Sequence, residues 1–242
     1  MSILSWSAAV AVPPPAPLEH GTRPQTNDRR LGTRRRGLAL KRSLDLIAAI
    51  VLLLLLCPLM LALAFAVWFD GGPVFYRHIR IGFRGQPFSC LKYRTMRENS
   101  ERDLANHLAG DPLAAAEWSA NRKLTCDPRV TRVTRLGALL RATSLDELPQ
   151  LLNVVRGQMS LVGPRPVVRE ELERHYGLSG AAAYAAGRPG ITGLWQVSGR
   201  SDTSYQKRVA LDLAYVSSRS FLVDLKILLR AVPAVLARRG AL

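Results

Sequence analysis

Residues 47–69 run for 23 positions without a charge. As one helix this run is about 35 Å long, enough to cross a hydrocarbon core of roughly 30 Å. No water-soluble core needs so long an uninterrupted apolar stretch, so the chain is expected to enter a membrane. Pro58 sits at its midpoint, where a missing N–H and a ring clash interrupt helical bonding. Each half is then about 17 Å long, the depth of one leaflet. Arg34, Arg35, Arg36, Lys41 and Arg42 precede the run, and Arg77, Arg80 and Arg84 follow it. Basic flanks are held on the cytoplasmic side, and neither flank here is poor in them. A helix broken at Pro58 that dips in and returns satisfies both flanks, and this re-entrant hairpin is the expected form. A proline-kinked span is the alternative, since such kinks are tolerated in membranes.

The remainder divides around this element. Residues 1–40 hold Pro13-Pro-Pro15, Pro17, Pro24 and an arginine-rich run with no helix or strand period, which reads as a disordered basic tail. Residues 41–70 form the membrane element, and 71–242 are left for a single further domain. In that domain, 73–81 and 87–93 are short aromatic and β-branched runs joined by Gly82-Phe-Arg-Gly85, a β-hairpin pattern. Residues 98–120 read as helix interrupted at Gly110-Asp-Pro112. Asp127-Pro-Arg-Val-Thr131 reads as a turn and strand start, and an apolar run continues to Leu140. Gly163-Pro-Arg-Pro166 is a rigid turn, and residues 190–200 are glycine-punctuated loop. The chain is helical from Gln206 onward. Residues 221–239 carry Leu222, Leu225, Leu228, Leu229, Val232 and Leu236 on one side, a pattern that suits either a bilayer surface or a protein core. The fold expected is α+β and mostly helical, with a short β-hairpin and amphipathic helices.

The net charge of +16 implies a polyanionic partner: nucleic acid, anionic membrane lipid or a phosphorylated substrate. Cys57, Cys90 and Cys126 lie far apart, as do the four histidines, so no zinc site or disulfide framework is read. Neither of the two common glycine-rich phosphate loops occurs, and there is no Asp-x-Asp pair.

The chemistry concentrates at Arg141-Ala-Thr-Ser-Leu-Asp-Glu-Leu-Pro-Gln150. Asp146 and Glu147 stand just before Pro149, a residue favoured at the first position of a helix. A helix starting there aims unpaired N–H groups at the carboxylates, which favours their charged form. A capping box on Ser144 and Glu147 is the other reading, and it places Pro149 inside the helix. Lys92-Tyr-Arg-Thr-Met96 offers polar groups suited to phosphate oxygens at a strand end. Arg165, fixed between Pro164 and Pro166, offers a guanidinium and a flat apolar ledge to a nucleotide.

Taken in order, Lys92-Tyr-Arg-Thr-Met96, Asp127-Pro-Arg129, Ser144-Leu-Asp-Glu-Leu-Pro-Gln150, Gly163-Pro-Arg-Pro166 and Pro189-Gly-Ile-Thr-Gly193 with Gly199-Arg200 resemble the bacterial sugar transferase family, the monotopic polyprenyl-phosphate phosphoglycosyl transferases. The resemblance runs from about Lys41 to the C-terminus. It implies transfer of a sugar 1-phosphate from a UDP-sugar to polyprenyl phosphate, with Mg²⁺, at the cytoplasmic face of the bacterial inner membrane, in the service of exopolysaccharide or another surface glycan. By the same motifs Asp146 is the implied nucleophile and Glu147 the implied Mg²⁺ residue. Lys92, Arg94 and Arg141 are implied phosphate binders, Arg165 in Pro164-Arg-Pro166 belongs to a uridine site, and Arg200 is a further anion-site candidate. The sequence departs from the family pattern at Cys57, where serine is common, at His78, where glutamine is usual, and at an apparent three-residue extension around Arg129–Thr134. A membrane-tethered basic protein that binds polyanions without catalysis is the rival reading. Against a nucleic-acid partner, no helix-turn-helix, zinc module or aromatic-basic RNA motif is present. Whether copies of the chain assemble into a homo-oligomer is left open.

Overall fold

A computed structural model of the chain describes residues 28–97, 100–121, 133–199 and 204–236. Helix α1, Asp28–Phe69, is the longest element, and Pro58 lies inside it. The helix is therefore not divided in two at Pro58, as the sequence reading expected. The proline removes one backbone donor, while leucines on both sides are strong helix formers. Residues 28–40 of the expected tail are also helical; residues 1–27 lie outside the described residues.

The hairpin forms where expected. Strands β1 (Phe75–Ile81) and β2 (Pro87–Tyr93) pair antiparallel, with Tyr76 opposite Lys92 and His78 opposite Cys90. Helices α2 (Ser100–Gly110) and α3 (Pro112–Asn121) flank the break at Asp111. Then come α4 (Arg135–Thr143), a 3₁₀ turn at Leu145–Glu147 and α5 (Gln150–Val155). Strand β3 (Ser160–Val162) precedes α6 (Arg169–His175) and α7 (Gly177–Ala185). It pairs in parallel with β4 (Gly190–Thr192), a short strand where only loop was expected. Helices α8 (Tyr205–Ser218) and α9 (Phe221–Leu236) complete the described fold. It is mostly helical, with two small sheets.

One face of α1 packs on the rest of the chain along its apolar length. Ala49 belongs to the central core with Phe88, Leu151, Val154 and Ile227, and Leu52, Leu53 and Leu56 pack against it. Further along, Val67 joins Tyr93 and Leu140, with Leu63 and Ala64 beside them. The spacing of three and four residues is that of a single helical stripe. Polar contacts fix both ends of this stripe. Lys41 Nζ donates to Asp224 at 2.6 Å, Ser160 Oγ donates to Asp45 at 2.6 Å, and Arg42 donates to the carbonyls of Val154 and Val155 at 2.7 and 3.1 Å. At the other end Tyr93 donates its hydroxyl to Met60 O, and Arg94 Nη2 donates to Val67 O at 2.9 Å.

The opposite face of α1 is bare: Leu54 is 73% exposed and Phe69 81%. Helix α9 settles the choice the sequence left open by using both faces. Ile227 and Asp224 are buried, whereas Leu222, Leu225, Leu228, Leu229 and Val232 are exposed. The stripe read from the sequence is thus the outward one. Two helices presenting this much apolar side chain to the outside match a protein seated in lipid.

Candidate functional site

The acidic pair sits in the 3₁₀ turn between α4 and α5. Ser144 takes a left-handed conformation (φ 58°) and its side chain caps nothing, so the capping box does not form. Pro149 directly precedes α5, in agreement with the alternative reading. Asn153, fully buried on α5, docks this segment on β2. It accepts from Leu91 N at 3.0 Å and donates to Ser89 O at 2.8 Å. Arg42 donates to the carbonyls of Val154 and Val155 at the far end of α5, adding side-chain donors to those the backbone N–H groups of residues 156–159 supply there. On the other side, Gly137 lets α4 lie against the end of β2, since a Cβ there would meet Thr95 O at 2.1 Å. Arg141 then reaches across to donate Nε to Thr95 Oγ1 at 2.8 Å.

Lys92 of β2 joins the two carboxylates. Its Nζ lies 2.6 Å from Glu147 Oε1 and 3.6 Å from Asp146 Oδ2. Burial pushes the Asp146 carboxyl above the ordinary carboxylate value; Lys92 pulls it down, Glu147 pushes it up and Arg141 pulls it down. The net direction is upward, so desolvation outweighs the support of Lys92 and Arg141. Burial alone would lower the Lys92 ammonium, but Glu147 and Asp146 outweigh it and hold it above its usual value.

Beside the pair opens a cavity of about 300 Å³. Lys92 and Glu147 line it together with His78 and Arg80 of β1, Arg165 and Arg208. Trp195 forms part of its wall, with the Arg165 guanidinium 5.3 Å and that of Arg208 4.9 Å from its ring centroid. Four cations around one carboxylate make a pocket for a multiply charged anion, and the indole adds a flat apolar surface. Behind Arg165, buried Asp212 accepts from the Arg165 backbone N–H at 3.3 Å and from the Tyr176 hydroxyl at 2.9 Å. Burial raises the Asp212 carboxyl to about 6 against these bonds.

The structure thus brings Asp146, Glu147, Lys92, Arg165 and Pro166 to one place, with Arg141 adjoining. Pro164 is buried beneath the turn. Arg94 does not line the cavity: it is buried against the last turns of α1, and its Nε has no hydrogen-bond partner. It stands one residue beyond the end of β2 at Tyr93, where the pleat that aims Lys92 no longer sets the direction of the side chain. Arg200 and Asp127-Pro-Arg129 lie outside the described residues. The sequence reading missed Asn153, Trp195, Arg208 and Arg80 as parts of the site. Only Arg80 had a local signal, the two-residue alternation of Tyr76, His78 and Arg80 on one sheet face.

Comparison with known proteins gives a consistent family. The bacterial sugar transferase family model matches residues 36–238. The chain is 54% identical over 202 residues to the exopolysaccharide production protein ExoY of Sinorhizobium fredii, covering 83% of this chain and 87% of that protein. It is 48% identical to an undecaprenyl-phosphate galactose phosphotransferase of Salmonella typhimurium, covering 84% of this chain and 41% of that longer protein. A UDP-glucose:undecaprenyl-phosphate glucose-1-phosphate transferase of Caulobacter vibrioides is 43% identical, with 83% of this chain and 71% of that protein covered.

Proposed function

The chain belongs to the bacterial sugar transferase family, and from that premise we propose that it transfers a sugar 1-phosphate from a UDP-sugar to polyprenyl phosphate, releasing UMP. The observation that carries this reading is the placement of Asp146 and Glu147, joined by Lys92, at the edge of a cationic cavity in a protein with an apolar outer surface.

In the first step an Asp146 carboxylate oxygen attacks the phosphorus that bears the sugar. The bond from that phosphorus to the bridging oxygen breaks, and UMP departs with the electron pair. In the second step a phosphate oxygen of the polyprenyl phosphate attacks the same phosphorus, and the bond to Asp146 breaks. Dividing one displacement into two in this way is the use of a carboxylate nucleophile. Lys92, Arg80, Arg165 and Arg208 hold the diphosphate and offset its charge. The Trp195 face and Pro166 receive the uracil ring. Arg141, tied to Thr95, adds positive charge beside Asp146.

Mg²⁺ fits these residues in one particular way. No group of three or more potential metal ligands occurs among the described residues, so a cage built only from protein is absent there. Mg²⁺ commonly takes one or two carboxylates and completes its shell with substrate phosphates and water. Glu147 would hold it, with the Lys92 contact giving way, and the ion would supply charge neutralisation on the diphosphate. Purified protein given UDP-sugar, Mg²⁺ and polyprenyl phosphate is expected to release UMP only when all three are present. Glu147→Gln should weaken the dependence on Mg²⁺ concentration. Salt-sensitive DNA binding without UMP release would replace this reading with that of a polyanion-binding protein.

The same domain grips α1 at Lys41–Asp45 and again at Met60–Val67. With α1 undivided at Pro58, this supports a helix lying along the domain at the inner membrane, both of its ends on the cytoplasmic side. Single cysteines at Arg35 and Gln86, in a chain whose native cysteines are replaced, are expected to react with an impermeant reagent from the same face. Labelling from opposite faces would make α1 a span.

A further inference from the structure

We propose that His78 reads the sugar of the nucleotide-sugar donor, donating from Nε2 to a hexose hydroxyl and so helping to set which sugar is accepted; the inference rests on the donor-pocket reading above.

His78 lies on β1 opposite Cys90, two residue pairs from the Tyr76–Lys92 pair. Tyr76, His78 and Arg80 share one face of the hairpin with Lys92 and Cys90, because side chains alternate along each strand. His78 is therefore a diagonal cross-strand neighbour of Lys92, a separation of roughly 7–8 Å between backbones that side chains can bridge. Lys92 in turn touches both carboxylates. A sugar attached to the phosphorus under attack by Asp146 must lie within a few bonds of that group. The nucleoside is separated from it by a further phosphate, and the planar surface for a base is provided by Trp195.

The ring of His78 is held in a defined state. Arg80 Nη2 lies 3.1 Å from His78 Nδ1. A guanidinium has no acceptor, so Nδ1 must present its lone pair and the ring proton of the neutral imidazole belongs on Nε2. Burial, then the charges of Arg80 and Lys92, push the imidazole pKa down, with Glu171 opposing and Arg165 reinforcing. Glu171 is itself engaged 3.5 Å from Arg80, and the Tyr76 ring meets the imidazole edge-on at 5.9 Å between centroids. The result is a neutral, oriented donor among cations. The phosphates have the cations available to them; a neutral donor of fixed direction suits an uncharged hydroxyl. A half-buried donor closed over by substrate discriminates between a sugar that completes its hydrogen bond and one that leaves it unpaired.

The test uses the full chain in nanodiscs with Mg²⁺ and the Asp146→Asn substitution, so that binding is read without turnover. Affinities are measured for UDP and for UDP-hexoses that differ at one carbon, UDP-glucose and UDP-galactose among them. His78→Leu is expected to weaken the preferred UDP-hexose by about ten-fold or more, to change UDP by less than about two-fold, and to shrink the ratio between epimers. His78→Gln, which keeps an amide donor, should recover part of the preference and guards against loss through misfolding. Equal weakening of UDP and every UDP-hexose, or an epimer ratio unmoved by His78→Leu, would overturn the role. Failure of any UDP-sugar to bind the parent chain would overturn the donor-pocket reading itself.

Discussion

Asp146→Asn is expected to lower UMP release by at least about a thousand-fold, as removal of a covalent nucleophile does elsewhere, while leaving the protein in the membrane fraction. The asparagine amide keeps the shape of the carboxylate in a residue that is only 7% exposed, so loss of activity reads chemistry more than fold. Mass spectrometry of a quenched wild-type turnover should place a phosphosugar adduct on the peptide containing Asp146. A variant that turns over at more than a few per cent would remove this residue as nucleophile. The pH profile adds a second readout. The attacking form is the carboxylate, and its pKa is raised by burial despite the pull of Lys92. Activity should therefore fall, as pH is lowered, at a higher pH than an ordinary carboxylate predicts. Lys92→Met removes a downward influence, so the acid limb of whatever activity remains should move to still higher pH. An acid limb that stays in place would show that Lys92 does not tune Asp146.

Gly190→Ala is expected to cost about 3 kcal/mol or more, beyond the usual range for inserting one methyl into a packed interior. A Cβ at Gly190 would meet Gly163 N at 2.1 Å and Thr192 O at 2.4 Å, and one at Gly163 would meet Arg188 O at 2.4 Å. These neighbours are backbone atoms, so no flexible side-chain end can move aside. They are also the atoms of the β3–β4 pairing, where Gly163 N donates to Thr192 O and Gly190 N donates to Pro164 O, each at 2.9 Å. Since Arg165 and Pro166 follow directly, the substitution should disturb the nucleotide wall of the cavity along with the fold. Gly177→Ala is the control. It has a left-handed φ of 61° but open space around it, so its cost should be only the backbone strain, about 1–2 kcal/mol. Thermal melts in matched detergent compare the two, and equal melting temperatures for wild type and Gly190→Ala would refute the packing argument.

Much of this organisation is written in local signals. The turn Gly82–Gly85, the break at Gly110-Asp-Pro112 and the start of α5 after Pro149 all follow from residues that restrict or free the backbone where they stand. The acidic pair, Lys92 and Arg165 were legible for a related reason: residues of their type sit in short, distinctive motifs. What the sequence hides is set by distance along the chain. Ser160 meets Asp45 across 115 positions, and Arg42 meets Val154 across 112. No period or motif relates such residues, so the polar fastening of α1 was invisible. Arg94 shows the opposite error. Its residue type suggested a phosphate, but just past the end of β2 the side chain turns to the carbonyl of Val67 in α1, a contact set by packing across 27 positions. The sequence showed which charges stand beside Asp146, but the opposing effect of its burial depends on the depth of the site.

The stripe of α1 that packs against the domain changes what a truncation can deliver. Ala49 and Val67 are 0% and 1% exposed, so cutting the chain after Phe69 would strip one wall from the interior as well as its lipid anchor. Solubilising this enzyme is a matter of covering its outer surface with detergent or designed polar substitutions, because the membrane helix is also part of the building.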